Sequence, residues 1–291
     1  MTNKFFRVES DKDEKYLIRM NGKLWPPFNR DDENYNLKKL RVNGIETTVL
    51  KNRYKNEWQI CKISEDTNFF EIRSAESGEH HLKEISRSIK KYQQIKDFKN
   101  SYSLPSTIVN CMKGFKNFTD QNIQNCFQIV LSIATLLHFD KRNHVFSHND
   151  LLPSSIYLSG EKVKIVDWEY SGENHFSYDL SLLSIKSGLS RRDEEALVYH
   201  YDPLHSDKTQ YYLTLMKPVV NFFLLLWSFP KHSEVSEINK FPLYSSMISY
   251  IQDAMSYQMI KSGKFLDINY IEKESSSNDE YPEGFLSLIS R

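Results

Sequence analysis

The chain has 291 residues, enough for one or two domains with a sizeable core, and 18 Phe and 17 Tyr add the volume that an apolar fraction of 40% leaves short. Its 38 basic and 38 acidic residues cancel, so nothing points to general nucleic-acid binding. Cys61, Cys111 and Cys126 are scattered without zinc spacing and read as reduced thiols of a cytoplasmic protein; Met1–Lys4 form no apolar signal region, and Phe222–Trp227 is too short to span a bilayer, so no membrane role is expected.

Residues 1–66 read as a small β-rich lobe. Lys4–Val8 and Lys15–Met20 alternate around the turn Ser10–Asp13, a hairpin pattern. Asn29 is an N-cap candidate, and Asp31, Asp32 and Glu33 favour the first turn of a helix through its dipole. Tyr35, Leu37, Leu40 and Val42 supply the apolar positions of that helix, and Gly44 ends it. Val49–Tyr54 and Trp58–Ile63 read as a second hairpin around Lys55–Glu57.

The basic stretch Lys83–Lys99 carries Leu82, Ile85, Ile89, Tyr92 and Ile95 at helical spacing, most simply a helix with a solvated charged face. Ser101–Pro105 reads as a loop. A helix over Asn122–Leu137 follows, capped by Thr119 or Asp120, with Ile123, Phe127, Val130, Leu131, Ala134 and Leu137 as its core stripe. His138 reads as a packing residue.

The stretch from Phe146 to Asp179 carries the chemistry. His148-Asn149-Asp150 precedes two short apolar runs, Ile156–Leu158 and Val163–Val166, which turn at Ser159-Gly160-Glu161. Asp167-Trp168-Glu169-Tyr170 follows the second run. Such a hairpin brings Asp150 and Asp167 to one rim. That rim suits phosphoryl transfer, in which one acid orients the attacking hydroxyl and the other holds Mg²⁺ against the phosphates. After Asp179 the chain turns helical, through Leu180–Ile185 and Asp193–His200, and Tyr211–Phe229 is a long aromatic-rich helix that Pro218 should kink or begin. Ser275–Asp279 reads as a flexible polar stretch, and Gly284–Ile289 as a last short helix or docked segment.

The motif His148-Asn149-Asp150-Leu151-Leu152-Pro153-Ser154 with Asp167-Trp168-Glu169-Tyr170-Ser171-Gly172 resembles the signature of choline, ethanolamine and aminoglycoside phosphotransferases, and most closely that of bacterial choline kinases. Thiamine kinases share the Asp-Trp-Glu-Tyr run. The resemblance implies a two-lobe α+β protein-kinase-like fold. A small N-terminal antiparallel β lobe with one helix (residues 1–66) would precede a larger, mostly helical C-terminal lobe (67–291). It makes Asp150 the catalytic base with His148 beside it, Asp167 the Mg²⁺ ligand, and Asp179 the brace of the catalytic loop. Glu169 and Tyr170 would face the acceptor, joined by Trp227, while Leu224 stands where a second tryptophan is often found. Asn3 and Lys4 would lie on the loop over the nucleotide phosphates. Arg19 would contact phosphate and pair with Glu33 of the Arg30-Asp31-Asp32-Glu33 run. Leu137-His138 matches the helix end before the catalytic loop.

Three departures stand out. Ser155 occupies the place of the family's second metal ligand, an Asn; it would ligate directly or through water, be replaced by Asn149 or Glu169, or leave a weak or inactive enzyme. The first glycine is Gly22, so no Gly-rich loop cradles phosphates. The hinge expected at Ser64–Phe70 lacks glycine. The expectation is an ATP- and Mg²⁺-dependent kinase acting on the hydroxyl of a small amine, choline preferred, as a monomer or homodimer. Ethanolamine, thiamine or an aminoglycoside, or a non-catalytic binding module of the same fold, are the alternatives. Cation–π contacts of roughly 0.5–2 kcal/mol per ring make an aromatic-rich site suit a quaternary ammonium.

Overall fold

A computed structural model describes residues 3–22, 28–47, 49–52, 57–62, 67–68, 78–113, 121–159, 162–228 and 242–262. The chain divides into two compact units, Met1–Tyr102 with Val145–Ser206, and Ser103–His144 with Asp207–Arg291.

The first unit opens with an antiparallel four-stranded sheet. Its strands are β1 (Lys4–Glu9), β2 (Lys15–Met20), β3 (Val49–Asn52) and β4 (Trp58–Lys62), in the order β1-β2-β4-β3. The register aligns Phe5 with Arg19 and Arg19 with Gln59, and it aligns Leu17 with Cys61. Residues opposite one another in an antiparallel sheet share a face. One face thus carries a row of Phe5, Arg19 and Gln59 beside the pair Leu17 and Cys61.

Helix α1 (Arg30–Val42) starts at the expected cap: the Asn29 side chain accepts from the Asp32 backbone N–H at 2.9 Å. Gly44, at φ +68°, ends it. The Gly44 N–H reaches the Arg41 carbonyl at 3.0 Å, and the Ile45 N–H reaches that of Leu40 at 2.9 Å. Left-handed backbone at this position is what favours glycine. Leu37 and Leu40 are buried.

The short β5 (Thr67–Asn68) and the helix α2 (Gly78–Gln93) precede the stretch from Phe146 to Asp179. Leu82, Ile85, Ile89 and Tyr92 of α2 are all buried, so the apolar spacing marks the inward stripe. Then come β6 (His144–Ser147), the hairpin β7 (Ile156–Ser159) and β8 (Lys162–Ile165), and β9 (Gly172–His175). The hairpin register, Ile156 opposite Ile165 and Tyr157 opposite Lys164, is the one the apolar runs imply. Helices α5 (Ser177–Ser187) and α6 (Arg191–Tyr201) end the unit, the latter started by a capping box between Ser190 and Asp193.

The second unit is helical among its described residues: α3 (Leu104–Lys113), α4 (Gln121–Phe139), α7 (Ser206–Ser228) and α8 (Pro242–Ser262). One expectation is corrected here, and one pair of alternatives is narrowed. Leu104 and Pro105 open α3 and are not loop; proline is tolerated in the first helical turn, where its missing N–H has no partner to lose. Pro218 lies inside α7 and does not begin it. In α4, Phe127, Val130, Leu131, Ala134 and Leu137 are buried, and His138 packs its ring against Phe139 and His144. No helix among the described residues is long and apolar enough to cross a membrane. Most of the Ser64–Phe70 hinge, the Thr119 and Asp120 caps, and everything from residue 263 onward lie outside the described residues.

Candidate active site

A cleft of about 370 Å³ opens between the inner face of the four-stranded sheet and the β7–β8 hairpin. Arg19, Glu33, Gln59, Ser155 and Asp167 line its polar side. Phe5, Leu17, Val49, Cys61 and Tyr157 give it apolar walls, and Lys164 adds a cation. Strand alternation explains the set: Arg19, Leu17, Gln59 and Cys61 all project from the same sheet face.

Arg19 organises the polar side. Its Nη2 donates to Glu33 Oε1 at 2.5 Å, its Nε donates to Asn21 Oδ1 at 2.8 Å, and its Nη1 reaches Asp167 Oδ1 at 3.3 Å. Gln59 donates to the same Glu33 oxygen at 2.9 Å. The predicted Arg19–Glu33 pair therefore forms, both partners buried, and a fixed guanidinium faces the cleft. Gln59 belongs to no sequence motif, although a polar residue amid the apolar Trp58, Ile60 and Cys61 is a readable signal.

Asp179 holds the loop that runs from Ser147 to Asp150. It is fully buried near the start of α5. Its Oδ2 accepts from Ser147 Oγ, from the His148 backbone N–H and from Tyr92 Oη, each at 2.7 Å; its Oδ1 accepts from the Asn149 backbone N–H at 2.9 Å. Such charge-assisted bonds are about twice as strong as neutral ones. His148 is buried as well. Its Nε2 meets the Val166 carbonyl at 2.8 Å, and its Nδ1 accepts the Asp150 N–H at 3.2 Å. Burial lowers its pKa. A neutral imidazole with both nitrogens engaged ties the Asp150 loop to the link between β8 and Asp167. Trp168 packs below, stacked on Phe146 at 5.9 Å and tilted against His148 at 4.6 Å.

Two residues here adopt left-handed backbone, Asn149 at φ 65° and Asp167 at φ 68°. Asn and Asp enter that region at least cost among residues with a side chain. Asn149 is pinned in place: it donates to the Tyr170 carbonyl at 2.9 Å and accepts from Asn174 at 2.8 Å.

The electrostatics set Asp150 apart. Burial, then the charges of Asp167, Glu169 and Asp179, raise its pKa from 3.8 to about 7, against a small opposing pull from Lys186. A general base works best with its pKa near the operating pH. Asp167 is also pushed upward, by burial and then Glu169, while Arg19 and His148 pull it down.

Glu169 and Tyr170 sit on the turn after Asp167. Glu169 is buried and takes Arg30 Nη1 and Asn3 Nδ2, both at 2.8 Å. Asn3 thus contacts Glu169, Arg30 and the Gly22 N–H, while Lys4 is exposed at the start of β1. The Tyr170 ring meets Phe28 edge-on at 5.2 Å, and Phe28 in turn contacts Tyr102 at 5.6 Å. Burial, then Glu169 and Asp150, push the Tyr170 phenol to about 12, so it stays neutral. Neither Phe28 nor Tyr102 carries a sequence signal, because only the fold brings Phe28 against Tyr170 and Tyr102 against Phe28. Trp227 belongs to the second unit, where it is 57% exposed and tilted against Phe223 at 6.1 Å.

A magnesium ion fits this donor set. Arg19 and Arg30 both pair with Glu33, Arg30 also pairs with Glu169, and Arg19 reaches Asp167. Asp167 is the most open of the three, its side chain 37% exposed against 2% for Glu33 and 10% for Glu169. Among the described residues no group of three His, Cys, Asp or Glu converges as a closed metal cage. Mg²⁺ typically takes one or two carboxylates and completes its shell with phosphates and water.

The sequence profile of the choline/ethanolamine kinase family matches residues 1–213. A LicA homolog of Mycoplasma capricolum is 35% identical over 105 residues, 34% of this chain and 42% of that protein, so the match spans less than half of that relative's length. The choline kinase LicA of Streptococcus pneumoniae superposes with a TM-score of 0.69 at 19% identity, covering 87% of this chain and 91% of that one. A LicA bound to AMP gives 0.67 at 20% identity over 88% and 89%. These likenesses show a kinase-like α+β fold. By the match over its first 213 residues, the chain belongs to the choline/ethanolamine kinase family.

Proposed function

We propose that this protein is an ATP- and Mg²⁺-dependent phosphotransferase that phosphorylates the hydroxyl of a small amine, with choline preferred. The observation that carries the reading is the meeting of Arg19, Glu33, Ser155 and Asp167 on one cleft, with Asp150 near enough to the Asp167 and Glu169 charges for them to help raise its pKa to about 7.

In this reading Asp150 accepts the proton of the acceptor hydroxyl as its oxygen attacks the γ-phosphorus and the bond to ADP breaks. Asp167 and Ser155 would hold Mg²⁺, which when bound neutralises charge on the β- and γ-phosphates. Arg19, braced by Glu33, neutralises further phosphate charge. His148 and Asp179 are positioning residues that fix the Asp150 loop. Positioning and preorganised charge supply most of the catalysis in such reactions. Tyr170, with Phe28 behind it, offers a neutral ring to a quaternary ammonium, and Glu169 a countercharge. Trp227 is a further proposed acceptor ring, and Trp227→Ala should raise the KM for choline. The LicA bound to AMP supports the adenine nucleotide.

ADP release with choline, ethanolamine, thiamine and aminoglycosides, each with and without Mg²⁺, tests the reading. Fastest turnover on choline, lost without the metal, is expected. Turnover on an aminoglycoside but not on choline would overturn the acceptor assignment. Ser155 favours a second reading, a kinase-fold binding protein with little turnover. It predicts a thermal shift with ATP and choline but no ADP from any acceptor.

A further inference from the structure

One guanidinium joins the nucleotide side of the site to the acceptor side. Arg30, the first residue of α1, donates from its Nη1 to Glu33 Oε2 at 2.7 Å and to Glu169 Oε2 at 2.8 Å. Its Nη2 donates to Asn3 Oδ1 at 2.9 Å and to the Gly22 carbonyl at 3.1 Å. Glu33 is also the brace of Arg19, and Arg19 Nη1 stands 3.3 Å from Asp167 and 3.6 Å from Glu169. The charges form an unbroken chain from Asp167 through Arg19, Glu33 and Arg30 to Glu169.

Glu169 is not open in this arrangement. One of its oxygens, Oε2, takes both Arg30 and Asn3, with Arg19 just beyond. A cationic acceptor that needs the Glu169 charge must compete with Arg30 for it. Nucleotide phosphates arriving at Arg19 change that balance. They draw the guanidinium away from Glu33, and Glu33, buried and then short of a cation, holds Arg30 more tightly. A buried carboxylate left without its partner is costly, so the second arginine follows the charge.

We propose that Arg30 couples the two substrate subsites: phosphates bound at Arg19 pull Arg30 toward Glu33 and free Glu169 for a cationic acceptor, so that the two substrates bind synergistically. This rests on the amine-kinase reading above and adds to it an order of events, nucleotide before acceptor. Arg30 is a positioning residue here, acting through Glu169 and not on the reacting atoms. Because binding coupling is reciprocal, choline must tighten nucleotide by the same factor.

The test is calorimetric titration of choline into the full chain, with and without a non-hydrolysable ATP analogue and Mg²⁺. Coupled sites typically shift affinity by about 5–150-fold, so nucleotide should lower the wild-type Kd for choline at least about fivefold. In Arg30→Gln that factor should fall to near one, and choline should bind the nucleotide-free protein more tightly than it binds wild type. Asn3→Ala, which loosens the same clamp without removing an ion pair, should shrink the factor partway and keeps the test valid if Arg30→Gln does not fold. Arg30→Lys should restore part of the coupling, since an ammonium holds one carboxylate well but lacks the fork for two. Equal coupling in wild type and in the folded variants would overturn the inference, as would choline binding to wild type with the same Kd in both conditions; either leaves the amine-kinase reading intact. Absence of choline binding under every condition would sink that reading and the coupling with it.

Discussion

Arg19 and Asp167 are 148 positions apart in the chain, and a 3.3 Å contact between Nη1 and Oδ1 joins them. That contact fixes the distance between the sheet that would meet phosphate and the loop that would meet metal. Glu33 holds the other end of the guanidinium, so without nucleotide Arg19 is shared between two carboxylates.

Asp150→Asn should lower kcat by about 10²–10⁴-fold, the usual contribution of a positioned base, and leave the affinity for an ATP analogue essentially unchanged. In the wild type kcat/KM should fall as pH drops below about 7, because the base is then protonated. Glu169→Gln removes one of the charges that raise the Asp150 pKa, so the acid limb should move to lower pH. A pH–rate profile of both proteins checks this, and an unmoved limb in Glu169→Gln would assign the titration to another group.

The same raised pKa has a cost for stability. The folded state binds the Asp150 proton more tightly than the unfolded chain does, so its stabilising effect is full below 3.8 and is lost as pH rises through about 7. Removing the charge should therefore stabilise the protein at pH 8. Asp150→Asn is expected to gain about 1–3 kcal/mol there and nearly nothing at pH 4. A tenfold difference in proton affinity between folded and unfolded chain is worth roughly 1.4 kcal/mol, and the gain is discounted because the carboxyl keeps some solvent. Denaturant melts at the two pH values measure the difference.

Ser155→Asn should preserve or raise turnover and lower the Mg²⁺ concentration at half-maximal rate. Its backbone is already held, the N–H on the Leu152 carbonyl and the carbonyl on the Val166 N–H, both at 2.9 Å. Lost activity in a folded Ser155→Asn protein would show that the metal site is built from other groups.

Asp179→Ala strips four donors of their buried acceptor. The expected loss is on the order of 3 kcal/mol or more, since each orphaned buried group costs about 1–3 kcal/mol. Whatever protein remains folded should also lose kcat, as the His148 and Asn149 N–H groups no longer fix the loop. Equilibrium unfolding and turnover are the two readouts.

Gly172→Ala should destabilise by about 1–3 kcal/mol, the usual cost of overpacking. A Cβ at Gly172 would lie 2.7 Å from Asn100 Cβ and 2.9 Å from its carbonyl oxygen. The same edge is bridged by the Glu173 N–H to Asn100 at 2.8 Å and the Tyr102 N–H to Glu173 at 3.1 Å. A melting temperature unchanged from wild type would show that the Asn100 turn yields readily.

What the sequence makes legible is local. The Asn29 cap, the glycine stop at Gly44, the β7–β8 hairpin and the carboxylates flanking it all depend on residues within a few positions of one another. What it hides is assembled by tertiary contact. Arg30 reads as one basic residue at a helix start, and nothing nearby says that its fork reaches Glu169, 139 positions away. Phe28 gives no periodic signal and gains its place through Tyr170 and Tyr102. Asn36, within an otherwise ordinary helix, donates to the carbonyls of Lys99 at 3.0 Å and Ser171 at 3.1 Å, tying α1 to the turn after Tyr170. Helix α3 is obscured because proline marks a loop as often as a first turn. In α8 the buried apolar positions among the described side chains are Met247, Ile251 and Ala254, which give little periodicity to detect.

Cys61 projects from β4 into the cleft wall and is half-buried, whereas Cys111 and Cys126 are buried. The molecule thus carries a built-in reporter. A maleimide dye should label this thiol first, and a bound nucleotide should slow that labelling by shielding it. Occupancy can then be followed by fluorescence in protein that turns over no substrate, so the affinity of inactive variants becomes directly measurable.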